Sequence, residues 1–469
     1  MLIRFEEDLL DISVDIAKQN GAKSVIAKLI NRKEHQIRFS NSQIDIIKEW
    51  NTYYLELFIS RGRRINVLEI QNPYEKKIQQ EIPKAVRVLK NLPKSLLFWG
   101  INKKNHSYRR MKGLYDGKIL KFREEAPAHV NAAIDSALNA GAKKVAGVLY
   151  FGNVKTGLRT SKDNGGGYNS SYYRFTIRSF VDPESSGQEI VVGRNLNGIK
   201  QKFIEAGQKS GALAKQAKNG VEGKPGTYDV ILNPTVAANI FGQLTLGANP
   251  IYLLSKMSCL RKKMNKKIGS KKLTVTDNGL ISEGLNSRPF DYEGTPSQIT
   301  PLIKEGYLVG LIHNTSTARI WKLLKLKIFT KTTANSYLGG VVDEDLGPKL
   351  LAPAATNTVY APGDYNVREL IEEAKRPTLY LTSNWYTRFT NYLEGAFSTI
   401  PRDAIFLIEN GEIKKPVRKL RLTETLLGMS KRIQAMGKDL KQIQWWEVPN
   451  STFIPTIKVK QCRFTAATE

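Results

Sequence analysis

The feature that most restricts the fold is an order of elements that occurs twice. Residues 8–20 place Leu9, Ile12, Val14, Ile16 and Ala17 at helical spacing, and Gly21 follows as a C-terminal stop. Strand-like runs come next: SVIAKLI, HQIRF, YYLELFI and INVLEI, rich in β-branched and aromatic residues. A helix over roughly 74–92 closes the set. The same order returns further on. A helix runs from Ala126 to Gly141, strands lie near VAGVLYF, GLRTS and YYRFTIRSFV, and a long helix covers 188–218. The junctions match in letters too: Asn20-Gly21-Ala22-Lys23-Ser24-Val25 stands beside Ala140-Gly141-Ala142-Lys143-Lys144-Val145. Element order and letters together point to two related α+β units. Two independent junctions that share Gly-Ala-Lys remain the alternative on the letters alone.

Two breaks set the expected boundaries. Lys103–Arg123 is polar and basic, and Asn219–Thr227 (NGVEGKPGT) carries three glycines and a proline. The texture then changes to short strands and turns, among them a hairpin signal at Asn410-Gly411. The expected fold class is α+β, with tandem helix-strands-helix units followed by a β-rich domain. The expected domains are 1–102, 103–222 and 223–469. A chain of 469 residues exceeds one ordinary core, which agrees with several units.

Bulk properties narrow the class. With 41% hydrophobic and 25% charged residues the composition is globular. The N-terminal stretch is acidic and interrupted, unlike a signal peptide, and no apolar run approaches the roughly 20 residues of a membrane span. A soluble, cytoplasmic protein without membrane partners is expected. Cys259 and Cys462 are too few and too far apart for a disulfide framework or a zinc ribbon. The charge is lopsided: 72 Lys and Arg against 43 Asp and Glu, a net of +29. That balance suits an acidic protein partner, an anionic ligand or nucleic acid. The basic clusters at 261–272 and 414–421 lack the interleaved aromatics of a single-strand stacking platform, so nucleic acid is not the expected partner.

Catalytic signatures are sparse. His35, His106, His129 and His313 lie far apart, and HExxH, CxxC, GxSxG and Walker motifs are absent. His35 and His106 are expected at the surface, and His129 on a helix face. Gly165-Gly166-Gly167 is expected to be a loop rather than a phosphate cradle. His313 is the best histidine to line a cleft. The densest polar segment is Ser287-Arg288-Pro289-Phe290-Asp291-Tyr292-Glu293-Gly294. Arg288, Asp291, Glu293 and His313 are therefore the substrate-binding candidates, with a rigid loop around an internal Arg288–Asp291 pair as the alternative.

DVILNPTVAANIFGQL (229–244) has the form of a strand, a cap and a helix, without His, Cys, Glu or Lys. Asn233 fits the N-cap and Pro234 the first helical position, with Val236, Ala237, Ile240, Phe241 and Leu244 on one apolar face. This segment resembles the TldD/PmbA family of peptidase-related proteins. So do GLISEGLNSRPFDYEGTPSQITPLIKEGYLVGLIHNTSTARI, TRFTNYLEGAFSTIPRDAIFLIENGEI and LLGMSKRIQAMGKDL. In that family, the resemblance implies, TldD-type subunits carry HExxxH on this helix and bind zinc with a C-terminal cysteine, while PmbA (TldE) subunits lack the motif. Aligned through Gly242, the motif falls on Ala238, Asn239 and Gln243, which supply neither zinc ligands nor a general base. The cysteine position is likewise replaced by KQIQWWEVPN. Ala396 stands where the family usually has an acid.

The resemblance thus implies a PmbA-like subunit with no catalytic or metal-binding residues of its own. It would position unfolded peptide for a TldD-type zinc partner. Pairing of the chain with itself is left open. The family's label as a modulator of DNA gyrase makes a nucleic-acid-associated role the alternative, and a peptidase with a non-metal site a third.

Overall fold

The computed structural model describes residues 4–324, 331–339 and 349–467. The doubled order is present. Helix α1 (Arg4–Gln19) leads into strands β1 (Ser24–Ser40), β2 (Gln43–Arg61) and β3 (Arg64–Gln71), and helix α2 (Glu75–Val88) follows. Helix α3 (Ala126–Asn139) leads into β4 (Lys144–Thr160), β5 (Gly165–Asp182) and β6 (Ser185–Gly193), and helix α4 (Ile199–Gln216) follows.

The two junctions share geometry as well as letters. Gly21 and Gly141 take φ of 100° and 112°, the left-handed region that glycine enters at no steric cost. Gly21 N–H donates to Lys18 O at 2.9 Å and Ala22 N–H to Ala17 O at 3.0 Å; Gly141 and Ala142 repeat this to Leu138 O and Ala137 O at 2.9 and 3.1 Å. The next residue, Lys23 or Lys143, then donates to Ser60 O or Phe180 O, at 2.7 Å in both cases.

The units share one antiparallel sheet of order β3-β2-β1-β4-β5-β6, joined where β1 pairs with β4. Period-two alternation gives the sheet two different faces. On one face Ala27, Leu29, Leu55 and Leu57 pack under α1 and α2. Leu149, Phe151, Tyr173, Phe175 and Ile177 do the same under α3 and Phe203 of α4. The opposite face carries Lys28, Arg32, Tyr150, Arg174 and Arg178 and looks into a cleft.

Several local expectations are corrected. SVIAKLI and HQIRF are parts of one 17-residue strand, β1. That continuity carries His35 inside: it is 8% exposed and stacks on Phe151 at 4.8 Å. The helix expected over 188–218 begins only at Ile199, because the β-branched run Ile190-Val191-Val192 continues the sheet as β6 to Gly193, and Gly198 at φ 66° sits at the N-cap of α4. Gly165–Gly167 is not a loop. It opens β5 and pairs with Arg159, Leu158 and Gly157. The absence of a side chain has a use there, since a Cβ on Gly166 would meet the rings of Phe290 and Tyr108 at 3.3 Å.

The C-terminal half contains a closed barrel. Strand Gly226–Leu232 pairs parallel with Thr378–Asn391 and antiparallel with Ile457–Ala466. Leu420–Thr425 continues from the latter to Ala396–Glu409, which pairs back to Thr378–Asn391. The expected hairpin is there: Asn410 and Gly411, both at positive φ, join Ala396–Glu409 to Glu412–Arg418. Buried ion pairs fasten the sheet to this half. Arg178 Nε meets Asp403 Oδ1 at 2.6 Å, and Glu189, which also holds Lys209 of α4, receives Lys441 at 2.7 Å. Among the described residues no helix is long and apolar enough to cross a membrane.

Candidate functional site

Helix α5 (Pro234–Gly247) starts as its residues require. The Asn233 side chain accepts the N–H of Val236 at 3.0 Å, and Pro234 takes the first turn. Val236, Ala237, Ile240, Phe241 and Leu244 are buried in the main core, and Tyr360 Oη donates to Phe241 O at 2.6 Å. The helix is wrapped almost all round, so Ala238 and Asn239 are buried as well, each 1% exposed. The Asn239 amide lies 3.4 Å from Asn384 O and 3.5 Å from Glu447 Oε2. Glu447 is already engaged by the N–H groups of Tyr386 and Thr387 and by Arg388 Nη1 at 3.3 Å. Gln243 is half-buried and borders a small cavity of about 240 Å³ with Cys259, Tyr252, Arg388 and Tyr392.

This donor set does not fit zinc. Zinc at a protein site takes three or four imidazole, thiolate or carboxylate ligands. Here one carboxylate is committed to Arg388 and backbone N–H groups, and burial pushes the Cys259 thiol up to about 11. Cys462 is buried elsewhere, in the terminal strand, and both cysteines are free. Among the described residues no group of three or more His, Cys, Asp or Glu is disposed to hold a metal ion.

The structure separates the four polar candidates. Asp291 is 2% exposed and accepts N–H bonds from Glu293, Thr295 and Ser336 at 2.9–3.0 Å. Glu293 is fully buried and receives Asn102 N–H at 2.9 Å and Thr315 N–H at 3.4 Å, which ties the chain at Asn102 to the helix Thr315–Leu323. Burial holds both carboxyls above the usual carboxylate range, and the charge of Asp291 lifts Glu293 further. His313 is fully buried, 3.1 Å from Thr317 Oγ1 and edge-on to Trp321 at 5.4 Å, and burial pushes its pKa down to about 3. Arg288 alone of the four lines the cleft. His106 and His129 are half-buried, the latter against Phe122 at 5.4 Å.

The cleft holds about 1050 Å³ between the open sheet face and the C-terminal half. Lys28, Arg32, Arg174, Arg178, Arg194 and Arg288 line it; among the described residues no Asp or Glu does. Tyr150, Tyr168, Tyr337, Trp385, Trp445 and Trp446 supply its aromatic surface. Two of the cations are structural. Arg178 is paired with Asp403, and buried Arg194 donates to the carbonyls of Leu114, Ser171, Gly284, Leu285 and Ser287 at 2.6–3.3 Å. Sequence reasoning missed this site, although Arg174-Phe175-Thr176-Ile177-Arg178 alternates polar and apolar residues as a two-faced strand does.

Comparison with known proteins gives a family match over 225–466, to the model described as the PmbA/TldA metallopeptidase C-terminal domain. Curated relatives include a metalloprotease of Methanothermobacter thermautotrophicus, 27% identical over 52% of this chain and 50% of the relative. Another is the metalloprotease PmbA of Escherichia coli O157:H7, 25% identical over 45% of this chain and 41% of the relative. The chain spans about half the length of the curated relatives it matches first. Solved structures share the whole fold. TldE from Thermococcus kodakarensis matches with a TM-score of 0.82 at 15% identity, over 98% of this chain and 100% of that one. A Thermotoga maritima protein, provisionally described as a modulator of a DNA gyrase, matches with a TM-score of 0.81 at 20% identity, over 98% and 100%.

Proposed function

Since this chain belongs to the PmbA/TldD metallopeptidase family, we propose that it is a PmbA/TldE-like subunit of a peptidase assembly. In this reading it binds no zinc, holds unfolded peptide, and presents it to the zinc of a TldD-type partner. The observation that carries the reading is helix α5. Its family motif position holds Ala238, Asn239 and Gln243, packed by core residues and by a carboxylate already committed to Arg388. A general base and metal ligands would have to come from another chain. The proposal keeps the division at 102/103 and 222/223, a cytoplasmic location, and a hetero-oligomeric state.

The test is reconstitution. The chain is mixed with a TldD-type subunit, complex formation is followed by gel filtration, and cleavage of a labelled unfolded protein is followed with and without EDTA. EDTA-sensitive cleavage that needs both chains is expected. No complex and no new cleavage would overturn the reading, and EDTA-resistant cleavage by the isolated chain would replace it with a non-metal peptidase.

A further inference from the structure

We propose that the cleft between the open sheet face and the C-terminal half binds extended acidic peptides, pairing their carboxylates with Lys28, Arg32, Arg174 and Arg288. The proposal deepens the peptide-holding role above and rests on it. It names the class of peptide.

The argument begins with which cations are available. Arg178 and Arg194 are engaged by Asp403 and by backbone carbonyls. The ion pairs of Lys28 and Arg174 are loose, Glu56 at 4.0 Å and Glu34 at 3.8 Å, and each also sits over a ring, Tyr292 at 4.9 Å and Tyr172 at 5.3 Å. Arg288 gives one Nη2–H to Ser336 O at 3.2 Å, and its buried Nε–H has no partner. Asp291, behind Arg288, is taken up by three backbone N–H groups. Arg32 is exposed on the sheet face. A guanidinium fork matches a carboxylate in two parallel hydrogen bonds, so Arg32 and Arg288 have unused capacity of the right geometry.

Spacing is the second line. Lys28 and Arg32 lie four residues apart on β1, roughly 13 Å along the strand. Arg174 lies in the same cross-strand row as Gln36 through Tyr150, four further residues on. Arg174 is also two strands across from β1, about 10 Å to the side, so the three cations form an oblique row over the sheet face. An extended peptide presents same-side groups every second residue, so acidic residues at every fourth position match the Lys28–Arg32 step, and a peptide crossing the strands obliquely reaches Arg174.

Aromatic packing favours peptide over single-stranded nucleic acid. Base stacking needs free ring faces. The Trp385 ring is already covered by Arg178 at 4.9 Å and Arg402 at 5.4 Å, and Trp445 and Trp446 pack edge-on to each other.

The experiment uses the isolated full chain and fluorescence anisotropy. The probes are a labelled peptide of roughly ten residues with glutamate at every fourth position, its glutamine counterpart, and an oligothymidylate of similar length. The glutamate peptide is expected to bind at least about tenfold tighter than the glutamine peptide, and Arg32→Gln with Arg288→Gln is expected to remove about that factor. Arg32→Gln alone, at an exposed position, guards against misfolding and is expected to weaken binding by roughly threefold. Lys414→Gln with Lys415→Gln, outside the cleft, is expected to change nothing. Equal affinity for the two peptides, or full binding by the double arginine variant, would overturn the proposal. So would tighter binding of the oligothymidylate. Because no partner is present, failure of reconstitution would count against the subunit role and leave this result standing.

Discussion

Helix α5 and the cleft wall are neighbours, since the strand Thr378–Asn391 packs on the helix and sends Trp385 into the cleft. Their chemistry is opposite. The helix is neutral and mostly buried, and its amide residues Asn239 and Gln243 cannot ionise. The cleft is open and cationic, and among the described residues no carboxylate lines it. In the proposed reading this helix is the counterpart of the metal-binding helix of a TldD-type partner, and here its residues pack in the core. Under the proposed function, this chain contributes recognition by charge and its partner contributes bond cleavage.

Substitutions can break or sharpen that contrast. The largest effect is expected on the helix: Phe241→Ala empties a fully buried site and should cost about 3–5 kcal/mol, read from chemical denaturation. A loss under about 1 kcal/mol would mean that α5 is not the packed element described. On the cleft floor, Arg194→Met leaves five carbonyls without their donor and should cost at least about 3 kcal/mol. A near-neutral result would move Arg194 into the group available for ligands.

His313 tests whether a buried candidate belongs with the structural half of the contrast. Its folded pKa of about 3 lies below the ordinary 6.5, so between these values the unfolded chain holds more protons. Stability should therefore rise with pH from about 3 to 6.5 and be lost as pH falls through that window, by a few kcal/mol at most. His313→Gln should flatten that slope and leave peptide affinity unchanged. An unchanged slope would show that the ring is solvated. The smallest stability effect is expected for Arg32→Gln, within about 0.5 kcal/mol of the parent, even as it weakens binding of the glutamate peptide.

The sequence disclosed what is local and concealed what is assembled. The cap at Asn233, the proline at 234 and the apolar face of α5 follow within a few residues of one another, so they could be read directly. The Gly21 and Gly141 stops were legible for the same reason. The ends of β6 and α4 were not, because Ile190, Val191 and Val192 suit either element until the sheet pairing decides. The triple glycine at 165–167 looked like a loop, but Tyr108 and Phe290 require its bareness within a strand. The cleft draws on β1, β4, β5, the 285–288 segment, Trp385 and 444–446, so no window of sequence contains it. The dense segment at 287–294 was recognisable as polar. Its interior position was not, since Asp291 and Glu293 are satisfied by N–H groups from Asn102, Thr315 and Ser336.

The most direct test of the central claim is the zinc content of the chain purified alone without chelator, measured by elemental analysis and repeated after incubation with excess zinc and gel filtration. The account expects close to none per chain in both cases. A value near one per chain would contradict it, because ligands would then have to come together around α5 or elsewhere in this chain, and the protein would have to be treated as a metalloenzyme in its own right.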